Sequence, residues 1–241
     1  MTARWNIDCE ARMNPEIEIL YEDDFLIVCI KPPGIAAQGA KGFQTDLSDL
    51  LRLHIQKENK IKGEPYLGVI HRLDQPTGGI MVFAKEKGSA AILSKQASSN
   101  QMKKRYYAVL EEKPPMLEGT LKDYLKKDGK ANISCIADNR KQGIEEGKFA
   151  ELVYKIIGEQ EYKGQVLYLA DIELKTGRHH QIRAQFSNIG CPLYGDRKYN
   201  PSTNGAGLAL FSYYLEFSHP KTKKIMQFKQ MPVNEIFTLF F

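Results

Sequence analysis

Five apolar side chains at alternate positions, Val166, Tyr168, Ala170, Ile172 and Leu174, constrain this chain more than any other feature. Alternate residues of a strand point to opposite sides, so the run predicts a strand with one wholly apolar face, ended by Thr176-Gly177. Such a strand needs paired neighbours and a covering layer before its face is buried. Neighbours are legible. Ile17 to Tyr21 and Phe25 to Ile30 read as a hairpin about Glu22-Asp23-Asp24, stopped by Pro32-Pro33-Gly34. Gly79 to Ala84 is a continuous apolar run, the pattern of a buried strand, and Arg105 to Leu110 and Lys148 to Ile157 read as further strands. Leu215 to Ser218 and Ile225 to Lys229 form a last hairpin around His219-Pro220. Helical spacing is confined to residues 46–58, where Leu47, Leu50, Leu51 and Ile55 recur, to residues 88–98, and to Ile182, Phe186 and Ile189. Residues 126–148 are polar and glycine-containing, hence a loop with at most short strands. Strands outnumber helices without strictly alternating with them, which predicts an α+β fold on a largely antiparallel sheet.

Composition narrows the class. With 42% hydrophobic and 26% charged residues among 241, the chain is neither disordered, collagen-like nor a disulfide miniprotein. No uncharged apolar stretch approaches the roughly 20 residues of a membrane span. No apolar secretion core lies in the first twelve residues, and residues 1–13 read as an N-terminal extension preceding one domain over 14–241. Cys9, Cys29, Cys135 and Cys191 show no Cys-x-x-Cys spacing, so they read as reduced thiols of a cytoplasmic protein, Cys29 as a small core residue. His54, His71, His179, His180 and His219 lack a ligand frame, so no metal is expected. The net charge of +5 is mild, but it is clustered: Lys221, Lys223, Lys224 and Lys229; Lys103, Lys104 and Arg105; Arg178, Arg183, Arg197 and Lys198. Each cluster alone reads as a solvated face; three together favour a polyanionic partner.

Three segments carry chemistry. His71-Arg72-Leu73-Asp74-Gln75-Pro76-Thr77-Gly78-Gly79 sets a basic pair and a carboxylate on a Pro- and Gly-containing loop ahead of a buried strand. The alternative is a turn in which Asp74 caps local amides. Thr176-Gly177-Arg178-His179-His180-Gln181-Ile182-Arg183 leads a turn into a helix start, where arginines suit phosphate or a carboxylate, or are simply solvated. In Lys104-Arg105-Tyr106-Tyr107-Ala108, the residues Lys104, Tyr106 and Ala108 share a strand face, which suits base stacking beside a cation or a place in the core.

In this order, LYEDDFLIVCIKPPG, HRLDQPTGG with IMVFAK, KRYYAVL, TGRHHQIRAQFSNIGCPLYGDRKY and LALFSYYLEFSHPKTKK, the motifs resemble the RluA-type family of RNA pseudouridine synthases over Ile17 to Val233. The resemblance implies an enzyme that detaches uracil from C1′ of a uridine in structured RNA, ribosomal or transfer, turns it and reattaches it through C5. It implies a mixed, mainly antiparallel central sheet with flanking helices and an RNA-binding cleft, with no separate S4 domain in this chain. It places the essential carboxylate on Asp74, the tyrosine that packs on the base on Tyr106, and the arginine that pairs with the aspartate on Arg183. Arg72 helps to displace the base. His71, Thr77, Lys104, Arg178 and Gln181 join Arg72 in binding RNA. The departures fall at Gly78, His179, Ala184-Gln185 and Phe211-Ser212, and they bear on the choice of RNA.

These residue types fit that chemistry. The carboxylate must stay ionised, and a planar guanidinium holds it so. Positive charge builds at C1′ as the glycosidic bond breaks. The base leaves its stack at a cost of about a few kcal/mol, partly offset by an aromatic. An isomerisation needs no cofactor. A monomer is expected, with no membrane partner. Two other readings compete: an RNA-binding or RNA-folding protein with idle catalysis, and a single-aspartate hydrolase, which would ordinarily need a second acid.

Overall fold

The computed structural model describes residues 17–39, 45–58, 60, 62–137 and 147–241; residues 1–13 lie outside them. The chain forms two compact units, one of residues 1–102 and 217–228, the other of residues 103–216 and 229–241.

The first unit is built on the expected hairpin. β1 (Ile19–Glu22) and β2 (Leu26–Lys31) pair antiparallel, and β2 pairs antiparallel with β4 (Gly78–Ala84), Leu26 opposite Ala84 and Lys31 opposite Gly79. A short β3 (Gly68–Val69) joins the same β4. All seven residues of β4 are buried, as a run without alternation requires. The hairpin turn is fixed by Asp23, whose Oδ1 accepts the N–H groups of Phe25 (2.8 Å) and Leu26 (2.9 Å). Its Oδ2 lies 2.7 Å from Nε2 of the buried His219, whose Nδ1 accepts from the N–H groups of Lys221 and Thr222. A ring whose Nδ1 accepts two hydrogen bonds carries its proton on Nε2, so His219 donates to Asp23.

Two helices serve this unit. α1 (Leu47–Glu58) starts where Asp46 accepts the N–H of Asp49 at 3.0 Å, an N-cap. It buries Leu47, Leu50, Leu51 and Ile55, the stripe predicted by spacing. α2 (Lys87–Ser98) sends Gln96 to both backbone groups of Ser218, each at 2.8 Å.

The second unit is a sheet in the order β10 (Leu210–Ser218), β5 (Lys103–Leu110), β9 (Gln165–Leu174), β8 (Lys148–Tyr162), β6 (Glu118–Asp128) and β7 (Ile133–Ile136). Each of these neighbours pairs antiparallel. The turn after β10, closed by the His219 N–H to Lys224 O bond at 2.8 Å, and β11 (Ile225–Lys229) up to Phe228 belong to the first unit. Register passes from Tyr106 to Ile172, Tyr154 and Gly119, so these four share one face. α3 (Gln181–Asn188) lies on that face: Ala184 packs with Leu125 and Ala150, and the Phe186 ring stands edge-on to Tyr154 at 5.2 Å.

The structure adds to two expectations. β9 buries apolar residues of both parities. Leu167 and Leu169 of the other parity are fully or almost fully buried, while Val166 is exposed. β9 is a central strand, and the C-terminal segment after α4 (Glu235–Thr238) covers its second face. Phe240 lies 3.1 Å and Leu169 3.8 Å from where a Cβ on Gly158 would stand. The stretch 126–148, expected to be a loop with at most short strands, takes in the end of β6 and the short β7 among the described residues. β6 is polar because it shows alternate residues to solvent, and β7, the last strand of the order, is only four residues long.

Candidate active site

Asp74 and Thr77 bracket a turn closed by the Thr77 N–H to Asp74 O bond at 2.9 Å, immediately before β4. Gly79 then takes φ +125, a conformation open to glycine. A second turn holds the first. The Gly34 N–H donates to Gln75 O at 2.8 Å, and Gln75 Nε2 donates to Gly34 O at 2.9 Å. Between them lies Lys31, with no exposed surface. Its Nζ donates to Pro32 O (3.0 Å), Ile35 O (2.8 Å) and Gln75 O (3.0 Å), which uses all three protons of an ammonium. Burial pulls its pKa down to about 8, against the negative charge of Asp74. Sequence reasoning missed Lys31; the signal available was a charge ending a strand that is otherwise apolar.

Asp74 and His71 are half-buried and Arg72 is exposed. His71 Nε2 accepts the Val82 N–H at 3.3 Å, which leaves the proton of the neutral ring on Nδ1. Thr77 is buried, and among the described residues its Oγ1 has no hydrogen-bond partner.

In the second unit, β5 carries Tyr106, buried, and Lys104, half-buried, on one face, with Lys104 Nζ 3.5 Å from where a Cβ on Gly177 would stand. Burial lowers the pKa of Lys104. The same face carries α3 and so Arg183. Arg183 forms a two-pronged ion pair with Asp196, Nε to Oδ2 and Nη2 to Oδ1, both 2.7 Å. Both residues are buried, at 3% and 1% exposure, and the guanidinium carbon stands 5.2 Å from the Tyr199 ring centre. Asp196 is a partner that sequence reasoning did not find, although it stands in the Gly195-Asp196-Arg197 block. Gly195 is required beside it: φ is +75, and a Cβ would fall 1.9 Å from Gly207 O.

The turn into α3 is internally bonded. The buried Gln181 accepts at Oε1 from Thr176 Oγ1 (2.8 Å) and the Arg178 N–H (3.0 Å), and its Nε2 donates to Glu151 O (3.1 Å). Arg178 is exposed and its Nε donates to Phe149 O at 2.8 Å. His180 occupies the left-handed region at φ 50 and stacks on His179 at 3.9 Å. Tyr199 OH donates to Ser134 O (3.1 Å), so His180 Nδ1–H donates to that hydroxyl across 3.1 Å. Burial, and then the positive charge of Arg183, push the His180 pKa down to about 3, so the ring is neutral at neutral pH. Among the described residues no group of three or more His, Cys, Asp or Glu is placed to hold a metal ion.

The α+β fold and the sequence match one class of protein. A family model described as RNA pseudouridylate synthase matches residues 25–188. An RNA pseudouridine synthase of Bacillus subtilis, YhcT, is 32% identical over 214 residues, 88% of this chain and 67% of the relative. Ribosomal large subunit pseudouridine synthase C of Buchnera aphidicola is 32% identical over 232 residues, 90% of this chain and 68% of the relative. The structure of human RNA pseudouridylate synthase domain containing 4 shares the fold, with TM-score 0.76 at 21% identity over 98% of this chain and 95% of that one. The class is the RNA pseudouridine synthases, isomerases that act on RNA. Within it, this chain belongs to the RluA-type family.

Proposed function

We propose that this enzyme isomerises a uridine of ribosomal RNA to pseudouridine, with Asp74 as the carboxylate that acts at the ribose. The observation that carries this reading is the pinned turn: a fully buried Lys31 ammonium bonded to Gln75 O, next to Asp74. A carboxylate held in place is what attack at C1′, or removal of the C2′ proton, requires. In this reaction the C1′–N1 bond breaks, the C1′–C5 bond forms, the C5 proton is lost and N1 gains one, so nothing is oxidised and no cofactor is consumed. Tyr106 packs on the displaced base, Arg183 supports the aspartate and Arg72 helps to extrude the nucleotide. Lys104 and Arg178 offer cations to phosphate, Thr77 offers its buried hydroxyl, and His71 and Gln181 hold the backbone of their segments. Ribosomal RNA is preferred to transfer RNA because the Buchnera relative is named for the large ribosomal subunit. The enzyme works as a cytoplasmic monomer without metal.

The test is pseudouridine mapping on ribosomal and transfer RNA from a strain lacking the gene, treated with wild-type protein or Asp74→Asn. New pseudouridine in ribosomal RNA from wild type, with RNA binding but no turnover by the variant, is expected. Turnover by Asp74→Asn removes that residue from catalysis. Modification of transfer RNA alone moves the target. Rescue of a deletion phenotype by Asp74→Asn favours an RNA-folding role.

A further inference from the structure

The sheet of the second unit has a face away from Tyr106, and one end of it carries exposed aromatic rings. Register sets Phe149 opposite Tyr124 on β8 and β6, with the parity opposite to that of Tyr154 and Tyr106. Where Phe240 and Leu169 approach Gly158, that face is covered. At the β6–β8 end it is open: Tyr124 is 43% and Phe149 38% exposed, their ring centres 5.6 Å apart and 63° inclined. Two aromatic rings side by side on a solvated strand pair expose π-faces that core packing does not use.

The charge around them is mostly of one sign. Lys122 and Lys126 stand two residues either side of Tyr124 and so on its face, both exposed. Arg178, exposed, reaches this end through its Nε bond to Phe149 O at 2.8 Å. The neighbouring acid on that face, Glu151, is engaged by Lys122 at 3.4 Å. Among the described residues, three cations around two open rings, with Glu151 beside Lys122 and Asp128 beyond Lys126, complement a chain of phosphates and bases. A protein segment would leave the cations in excess.

We propose that Tyr124 and Phe149, with Lys122, Lys126 and Arg178, form an accessory platform for single-stranded RNA: bases stack on the rings and phosphates lie along the cations. It lies on the opposite sheet face from Tyr106 and adds binding without touching the reacting nucleotide. The inference rests on RNA as the substrate, as in the proposed function, but not on the role of Asp74. The platform is sequence-tolerant, because every base has a π-face and no side chain here reads a base edge. It holds RNA flanking the modified site.

The experiment compares wild type with Tyr124→Ala/Phe149→Ala for binding of a labelled single-stranded RNA of about twelve nucleotides. It also compares turnover on ribosomal RNA at saturation. The expected result is an affinity on the order of ten-fold weaker, unchanged saturated turnover, and a folded protein by circular dichroism. Lys122→Ala/Lys126→Ala should flatten the salt dependence of that binding, by about one unit of slope for each phosphate no longer neutralised. Affinity within two-fold of wild type for both variants overturns the proposal, and the ring pair is then a cross-strand stabiliser of the sheet. A change in mass by light scattering with RNA affinity unmoved also overturns it and marks a protein contact. Loss of turnover without loss of RNA affinity contradicts the division between binding and chemistry. Failure of wild type to modify any RNA would instead count against the proposed function.

Discussion

The Lys31 ammonium donates to the carbonyl oxygen of Gln75 at 3.0 Å, so a strand end holds in place the turn that carries Asp74. The ammonium is buried and also donates to Pro32 O and Ile35 O. Three carbonyl groups depend on one cation, and the cation depends on them to be buried at all.

Replacing Lys31 by Met takes a donor from all three carbonyls, leaving Gln75 O with only the Gly34 N–H. The expected loss is about 2–4 kcal/mol of stability, less than three separate bonds because a buried charge is also removed. Thermal unfolding should show it as a fall of several degrees. The folded pKa lies at about 8, below an unfolded lysine at about 10.4. Between those values the unfolded chain binds more protons, so wild-type stability gains on the variant as pH rises through that window. A difference that stays flat from pH 8 to 10 would contradict burial as the cause of the shift.

The Arg183–Asp196 pair is buried on both sides, so removing one partner strands the other. Asp196→Ala should cost about 3–5 kcal/mol in denaturant unfolding. The double variant Arg183→Met/Asp196→Leu should recover much of that, because no charge is left buried. A double variant as unstable as the sum of the singles would show that the pair does not act as a unit.

His180 gives an acid-sensitive element. Its folded pKa of about 3 lies below the unfolded value of about 6.5. The unfolded chain therefore binds the extra proton first, and this contribution, full above the unfolded value, is lost as pH falls from about 6.5 towards 3. His180→Asn keeps a residue that tolerates the left-handed backbone and removes the titration. Its stability should fall less steeply over that range, measured by urea midpoints at stepped pH.

RNA affinity should fall steeply with salt if the clusters at Lys221, Lys223 and Lys224 and at Arg197 and Lys198 meet phosphates. Alanine at any one cluster should lower the slope of log affinity against log salt. An unchanged slope assigns that cluster to solvated surface.

Local pattern was enough to place most strands and both long helices. The 17–30 hairpin, the buried run at 79–84 and the Leu47-Leu50-Leu51-Ile55 stripe each follow from side-chain period, and the structure moves their ends by only a residue or two. The Asp74 turn was legible for the same reason, since Pro76 and the glycines mark it within the chain itself.

What period and turn chemistry cannot carry is which distant group closes a buried polar set. Nothing near Lys31 in sequence shows that Gln75 will receive it, nor does anything near Arg183 single out Asp196. β9 carries apolar residues of both parities from Val166 to Ala170, but what buries Leu169 is the C-terminal segment, which returns over it from far along the chain. The sequence by itself determined the strands, the turns and the chemistry-bearing motifs, because these are set by the residues' own backbone preferences and periodicity. Tertiary structure alone decided which charges are buried and what neutralises them, because desolvation depends on everything that packs around a group, not on its neighbours along the chain.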